Sequence, residues 1–194
     1  MARSALRAVE TVFLDRDGTI NVKAPTGRYI TNPKDLVLLP GTGEAVAALN
    51  SAGLRTILVT NQRWLSDPSS KPKRYAAVQA RLEELLASYG ARLDGTYHCP
   101  HALAECRCRK PEPGMLFRAA RQHRFDVTRA VTVGDSATDL QAGRSAGTAT
   151  ILLRTGAQGR TPDLGADAVV EDLAAAVRLI LTALETQEES VAPD

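Results

Sequence analysis

The chain has 194 residues, 44% of them hydrophobic and 24% charged, which is an ordinary globular composition. A domain of this length buries roughly 70% of the surface its unfolded chain exposes, so folding requires neither a disulfide nor a metal. Lysine and arginine number 24 against 22 acidic residues, and the resulting net charge of +2 is too balanced to argue by itself for a nucleic-acid or membrane-surface protein. No apolar run approaches the roughly 18 residues of a membrane span. The opening MARSALRAVETVFLD lacks the apolar stretch of a secretory signal, so a soluble, cytoplasmic protein is expected.

Val9 to Asp15 is a short apolar run ending at an Asp17-Gly18 turn, which predicts a buried strand. A polar loop with Pro25, Gly27, Asn32 and Pro33 follows. Ala45, Val46 and Leu49 then recur at helical spacing, between Pro40-Gly41 and Gly53. Leu54 to Asn61 reads as a second buried strand, and RWLSDPSSKPK as a loop. From Lys73 to Tyr89 the pattern predicts a long helix, with Val78, Leu82, Leu85 and Leu86 on one face. GTYHC is a short strand, PGMLFRAARQHR a helix starting after Pro113, and AVTVGD another strand. ATDLQAGRSAG is a helix closed by Gly147, TATILL a fifth strand, and ADAVVEDL a sixth beyond a Gly-rich loop. A helix from about Leu173 to Leu184 ends the body. Residues 1–186 are expected to form a single domain, and residues 187–194 a disordered tail.

Strands alternating with helices predict an α/β fold, a doubly wound Rossmann-like parallel sheet. In such sheets chemistry gathers at the carboxyl ends of the strands. Three apolar runs end there in polar signatures: Asp15-Arg16-Asp17-Gly18-Thr19, Thr60-Asn61-Gln62 and Gly134-Asp135. Carboxylates from Asp15, Asp17 and Asp135 repel one another unless a cation intervenes, and an all-oxygen set suits Mg²⁺. A carboxylate beside Mg²⁺ can attack phosphorus, and a neighbouring aspartate can protonate the leaving alcohol and then deprotonate water. Lys110, Thr60 and Asn61 can supply charge and hydrogen bonds to the phosphoryl oxygens.

Three cysteines within ten residues argue against a secreted disulfide framework. Cys99, His101, Cys106 and Cys108 form a Cys₃His set, which reads as closed, structural zinc, a zinc-stapled loop; His98 falls outside the pattern. Zinc at Cys108 fixes the backbone that aims Arg109 and Lys110.

LDRDGT, VTN, the mid-chain Lys110 and VGDSATD resemble the four motifs of the haloacid dehalogenase-like phosphatase superfamily, over about Val9 to Leu153. The resemblance implies Asp15 as a nucleophile forming an aspartyl-phosphate and Asp17 as general acid/base. It also implies Thr60 and Lys110 as phosphoryl-stabilising residues. Mg²⁺ is then held by the Asp15 carboxylate, the Asp17 carbonyl and Asp135, while Asp139 orients Lys110. HCPH…CRCRKPEPGM and FLDRDGTINV further resemble the D-glycero-D-manno-heptose 1,7-bisphosphate phosphatase family. Histidinol-phosphate phosphatases share the zinc clip, and the short Ala102 to Glu105 span is nearer their length.

Heptose-type sequences continue after the VTNQ strand with a small Gly-containing segment, where this chain has Arg63-Trp64-Leu65-Ser66-Asp67-Pro68. Arg63 is read as meeting a second anionic group; Trp64 either stacks on the substrate or anchors its own loop. Asn61, Gln62, Arg63, Arg109 and Ser136 are the expected substrate contacts, although heptose-type relatives often carry Lys at the position of Ser136. The segments between motifs are too short for a separate cap domain. The expected partner is a small phosphorylated sugar, with the oligomeric state left open. Arg118, Arg121 and Arg124 line one helix face, but no aromatic residues interleave them as a nucleic-acid platform requires. A zinc-based interaction module without catalysis is the alternative of another class.

Overall fold

The apolar runs become the six strands of one parallel sheet in the computed structural model, which describes residues 6, 8–155 and 165–191, with side chains through 186. The strands are β1 (Thr11–Leu14), β2 (Arg55–Asn61), β3 (Gly95–Cys99), β4 (Ala130–Gly134), β5 (Ala149–Leu153) and β6 (Ala168–Val170), in the order β3-β2-β1-β4-β5-β6. The helices are α1 (Thr42–Ser51), α2 (Pro72–Ala87), α3 (Gly114–His123), α4 (Ala137–Ala146) and α5 (Leu173–Val191). Among the described residues no helix is long and apolar enough to cross a membrane.

Strand alternation divides the core into two layers. Val12, Leu14 and Leu58 join Val46, Leu49, Leu82, Leu86 and Ile180 on the face covered by α1, α2 and α5. Phe13, Ile57 and Val59 pack with Met115, Leu116 and Ala142 under α3 and α4 on the other. Because both faces are covered, the strands are apolar at consecutive positions rather than alternating. Full burial of each Leu, Val or Ile contributes roughly 1.5–3 kcal/mol.

The chain steps from β1 to β2 to β3 in one direction, then returns to place β4 on the other side of β1. The carboxyl ends of β1 and β4 therefore flank the switch point, the crevice where ligands enter open α/β sheets. Asp15 leaves β1 there and Asp135 leaves β4. Asp15 N–H donates to the Val133 carbonyl at 3.1 Å, which carries the pairing past the end of the ladder.

Two differences from the sequence expectations concern local structure. The Arg63 to Ser66 part of the expected loop is a 3₁₀ turn. The terminal helix does not stop near Leu184. It runs to Val191, because glutamate and glutamine favour helix and no breaker occurs before Pro193. Residues 192–194, and residues 156–164 of the expected Gly-rich loop, lie outside the described residues.

Candidate active site

Carboxylate oxygens of Asp15, Asp135 and Asp139 lie within 4.8 Å of one another, and all three residues are buried. Lys110 reaches this trio from the far side of the sheet edge. Its Nζ donates to Asp15 Oδ1 at 2.7 Å and to the Val59 carbonyl at 2.7 Å, and it pairs with Asp139. Burial pushes Asp15 up to about 7; the Lys110 ammonium opposes this, while the Asp139 and Asp135 charges add to it. Lys110 is shifted upward, because the Asp139 and Asp15 charges outweigh its own burial.

Asp139 is committed to this scaffold. Its carboxylate pairs with Lys110 and accepts from the Ser136 hydroxyl and backbone N–H, the latter at 3.2 Å, closing a capping box on α4. Asp15 and Asp135 remain as the carboxylates open to a divalent ion. Asp135 Oδ1 is buried without a hydrogen-bond partner, which is the mark of a missing cation. Gly18 makes room there: its φ is +96°, and a Cβ on it would lie 2.3 Å from Asp135 Oδ2. The all-oxygen donor set fits Mg²⁺.

Asp17 turns away from that trio. Its Oδ1 accepts from Arg16 Nη2 at 3.1 Å and Asn21 Nδ2 at 3.0 Å, and its Oδ2 from Arg16 Nη2 and Gln62 Nε2, each at 2.9 Å. Arg16 is only 1% exposed, so a buried guanidinium backs this carboxylate. Gln62 Nε2 also donates to Thr60 Oγ1 at 2.9 Å.

Three expected substrate contacts are spoken for inside the protein. Asn61 donates to the Lys110 carbonyl at 2.9 Å and accepts from its N–H at 3.1 Å, so the amide acts as a strand edge that holds residue 110. Gln62 is fully buried between Asp17, Thr60 and Trp64. The Ser136 hydroxyl is consumed by the cap of α4, bonding Asp139 and Thr138. Of the two readings of Trp64, the structure favours the anchor, since its indole N–H donates to Gln62 Oε1 at 2.9 Å. Arg63 is exposed and donates from Nε to the Tyr29 hydroxyl at 3.2 Å.

Lys23 was not apparent in the sequence. Its Nζ donates to Asp135 Oδ2 at 2.9 Å, although the side chain is 44% exposed. A lone lysine in a polar loop carries no motif signal. Arg16 and Asn21 escaped for a similar reason, since their roles depend on contacts rather than spacing.

The sulfur loop adjoins Lys110. Cys99 Sγ lies 3.5 Å from Cys106 Sγ and 3.4 Å from Cys108 Sγ, and His101 Nδ1 is 3.3 Å from Cys108 Sγ. The cysteines are free, and these four ligand atoms cluster as a Cys₃His metal set. Burial, with the adjoining Cys106 and Cys99 sulfurs, pushes Cys108 up to about 12, whereas at Cys106 burial is outweighed by hydrogen bonds from Cys108 and from the Cys108 and Arg109 backbone, which lower it to about 7. His98 stands outside, its ring 4.2 Å from that of Tyr75. Gly114, at the start of α3, lets the helix abut the loop; a Cβ there would lie 2.2 Å from the Arg107 carbonyl oxygen. A pocket of about 360 Å³ opens between loop and edge, lined by Leu103, Cys106, Arg107, Arg109, Lys110 and Glu112. Arg109 Nε is buried and without a partner beside it.

A HAD-hydrolase-like family model matches residues 107–176. The D-glycero-D-manno-heptose-1,7-bisphosphate 7-phosphatase of Thermosynechococcus vestitus is 40% identical, covering 89% of this chain and 96% of that protein. The corresponding enzyme of Vibrio cholerae is 38% identical, over 77% and 83%. The crystal structure of D,D-heptose 1,7-bisphosphate phosphatase from Bordetella bronchiseptica, complexed with magnesium and phosphate, superposes with a TM-score of 0.80. It is 35% identical, covering 90% of this chain and 99% of that one. On fold, sequence and coverage together, the chain belongs to the D-glycero-D-manno-heptose-1,7-bisphosphate 7-phosphatase family of HAD-like hydrolases.

Proposed function

We propose that this chain is a Mg²⁺-dependent phosphomonoesterase that removes the 7-phosphate of D-glycero-D-manno-heptose 1,7-bisphosphate through an aspartyl-phosphate on Asp15. The observation that carries the reading is the buried cluster at the switch point in which the Asp15, Asp135 and Asp139 carboxylates meet, with Lys110 bonded to Asp15 and Asp139. Asp15 and Asp135, with the Asp17 carbonyl, hold the metal. When bound, the metal neutralises charge on the transferring oxygens and favours ionised Asp15. The Asp15 carboxylate attacks phosphorus and the sugar oxygen leaves with a proton from Asp17. Asp17 then takes a proton from the water that attacks the aspartyl-phosphate, which returns Asp15 and releases inorganic phosphate. Thr60 and Lys110 stabilise the phosphoryl oxygens, and Asp139 fixes Lys110.

Arg109 and Arg63 are the groups on this chain suited to the second phosphate. Arg109 has an unpartnered guanidinium nitrogen beside an open pocket, and Arg63 is exposed on the turn that follows β2. Cys99, His101, Cys106 and Cys108 hold a structural zinc whose role is to keep Arg109 and Lys110 in place. Residues 1–186 act as one phosphatase domain without a cap.

Phosphate release from heptose 1,7-bisphosphate, histidinol phosphate and 3′-phosphorylated oligonucleotides tests this reading directly. The expected result is Mg²⁺-dependent release from the heptose, greatest among the three, and lost by on the order of 10³-fold or more in Asp15→Asn with the fold intact. Preference for histidinol phosphate would reassign the substrate. Retained turnover in Asp15→Asn would overturn the nucleophile. No hydrolysis of any ester, with zinc bound, would favour an interaction module.

A further inference from the structure

Gln62 is fully buried, and each polar atom of its side chain has a defined partner. Nε2 carries two protons, one directed to Asp17 Oδ2 and one to Thr60 Oγ1, both at 2.9 Å. Oε1 accepts the indole N–H of Trp64 at 2.9 Å. The orientation of this amide follows from chemistry. An indole nitrogen can only donate, so the amide meets Trp64 with Oε1 and turns its NH₂ to Asp17 and Thr60. A flipped amide would set its oxygen against the Asp17 carboxylate and its NH₂ against an N–H donor. Thr60 Oγ1, already accepting from Gln62, keeps its own proton to offer elsewhere.

We infer that Trp64, through Gln62, is a positioning residue for proton transfer: the amide whose orientation the indole fixes spaces the Asp17 carboxylate from the Thr60 hydroxyl. This rests on the assignment of Asp17 as general acid/base and of Thr60 as a phosphoryl contact. The inference adds a linkage from the turn after β2 to the site that neither assignment contains. Trp64 lies in that 3₁₀ turn, directly after the end of β2, and its neighbour Arg63 is bonded to Tyr29. Removing the indole N–H leaves Gln62 Oε1 buried and unsatisfied, a state the side chain relieves by rotating, and Asp17 Oδ2 then loses a donor. Small errors in the placement of a proton-transfer group cost rate far more than binding.

The test compares leaving groups. Trp64→Phe keeps the ring and removes the N–H; Gln62→Met keeps the length and removes the amide. An alkyl oxygen leaves poorly without a proton, whereas p-nitrophenolate needs little help. With Mg²⁺ present, kcat/KM of Trp64→Phe on a sugar phosphate is expected to fall about tenfold, well within the range of general acid/base contributions. The loss on p-nitrophenyl phosphate is expected to be several-fold smaller, with KM little changed and the thermal melt preserved. Gln62→Met should lose more, and the double variant no more than Gln62→Met alone, because Trp64 acts through Gln62. Equal losses on the two esters, unchanged rates, faster alkyl-ester cleavage or losses that multiply would each overturn the relay while leaving the phosphatase reading in place. A wild-type protein as inactive as Asp15→Asn on both esters would remove that reading and the relay with it.

Discussion

The carboxylate edge and the sulfur loop lie side by side but are built in opposite ways. The edge takes its geometry from strand ends. Backbone pairing continues into Asp15, the Asn61 amide holds residue 110, and a capping box holds Asp139. The loop from residue 100 to 113 has no helix or strand, and its central sulfurs face mainly one another and His101. One region is held by strand ends and buried ion pairs, while the other is held by short loop contacts, the packing of Cys99, Cys106 and Cys108 on the core, and the close approach of α3. Lys110 sits where they meet, its side chain in the edge and its backbone one residue beyond Arg109. The lesson is that a cation can be aimed by two independent devices, one at each end of its side chain.

The strongest way to break this comparison is Lys110→Met. It strands Asp15 and Asp139 in a buried site without their shared cation, and such losses cost about 3–5 kcal/mol. Turnover should fall on the order of 10²–10³-fold. Denaturant titration and steady-state kinetics check both, and a variant of unchanged stability would mean that the edge does not depend on its ion network.

Cys106→Ser should act in the reverse sense. Zinc affinity is expected to drop by at least about 100-fold, a larger effect than loss of an outer-shell partner. Activity should fall less than in Lys110→Met, because Asn61 and the close approach of α3 still hold the edge side. Metal analysis and kinetics on the same sample decide this; loss equal to that of Lys110→Met would show that the loop, and not the fold, sets the edge.

The smallest effect is a pH dependence confined to the edge. Asp15 is raised from 3.8 to about 7 by burial in the metal-free protein. Between those values the folded chain keeps a proton that the unfolded chain has released, so this group lowers stability as pH rises through the window. Mg²⁺ favours the ionised carboxylate, so its stabilising shift in Tm should grow as pH passes upward through about 7. Melts with and without Mg²⁺ on either side of that pH provide the check, and a shift independent of pH would separate Asp15 from the metal.

These contrasts also show what the sequence could reveal. Asp15, Asp135 and the cysteine cluster were legible because each combines a residue type with a position that topology dictates, a strand end or a short ligand spacing. All six strands were legible from apolar runs bounded by Gly, Pro and Asp. Asn61, Gln62 and Ser136 were expected at the substrate; the partners they have inside the protein, Lys110, Asp17 with Trp64, and Asp139, are set by side-chain geometry that no local pattern encodes. Lys23 crosses more than a hundred residues to reach Asp135, and periodicity does not register such a contact.

The three acceptors around Lys110 have a chemical corollary. An ammonium has three protons, and Asp15, Asp139 and the Val59 carbonyl take one each, at a nitrogen sealed from solvent. Such an amine exposes no lone pair to electrophiles. Carbamylating reagents and reducing sugars therefore meet the exposed Lys34, Lys71 and Lys73 first, and glycation of the surface leaves Lys110 unreacted.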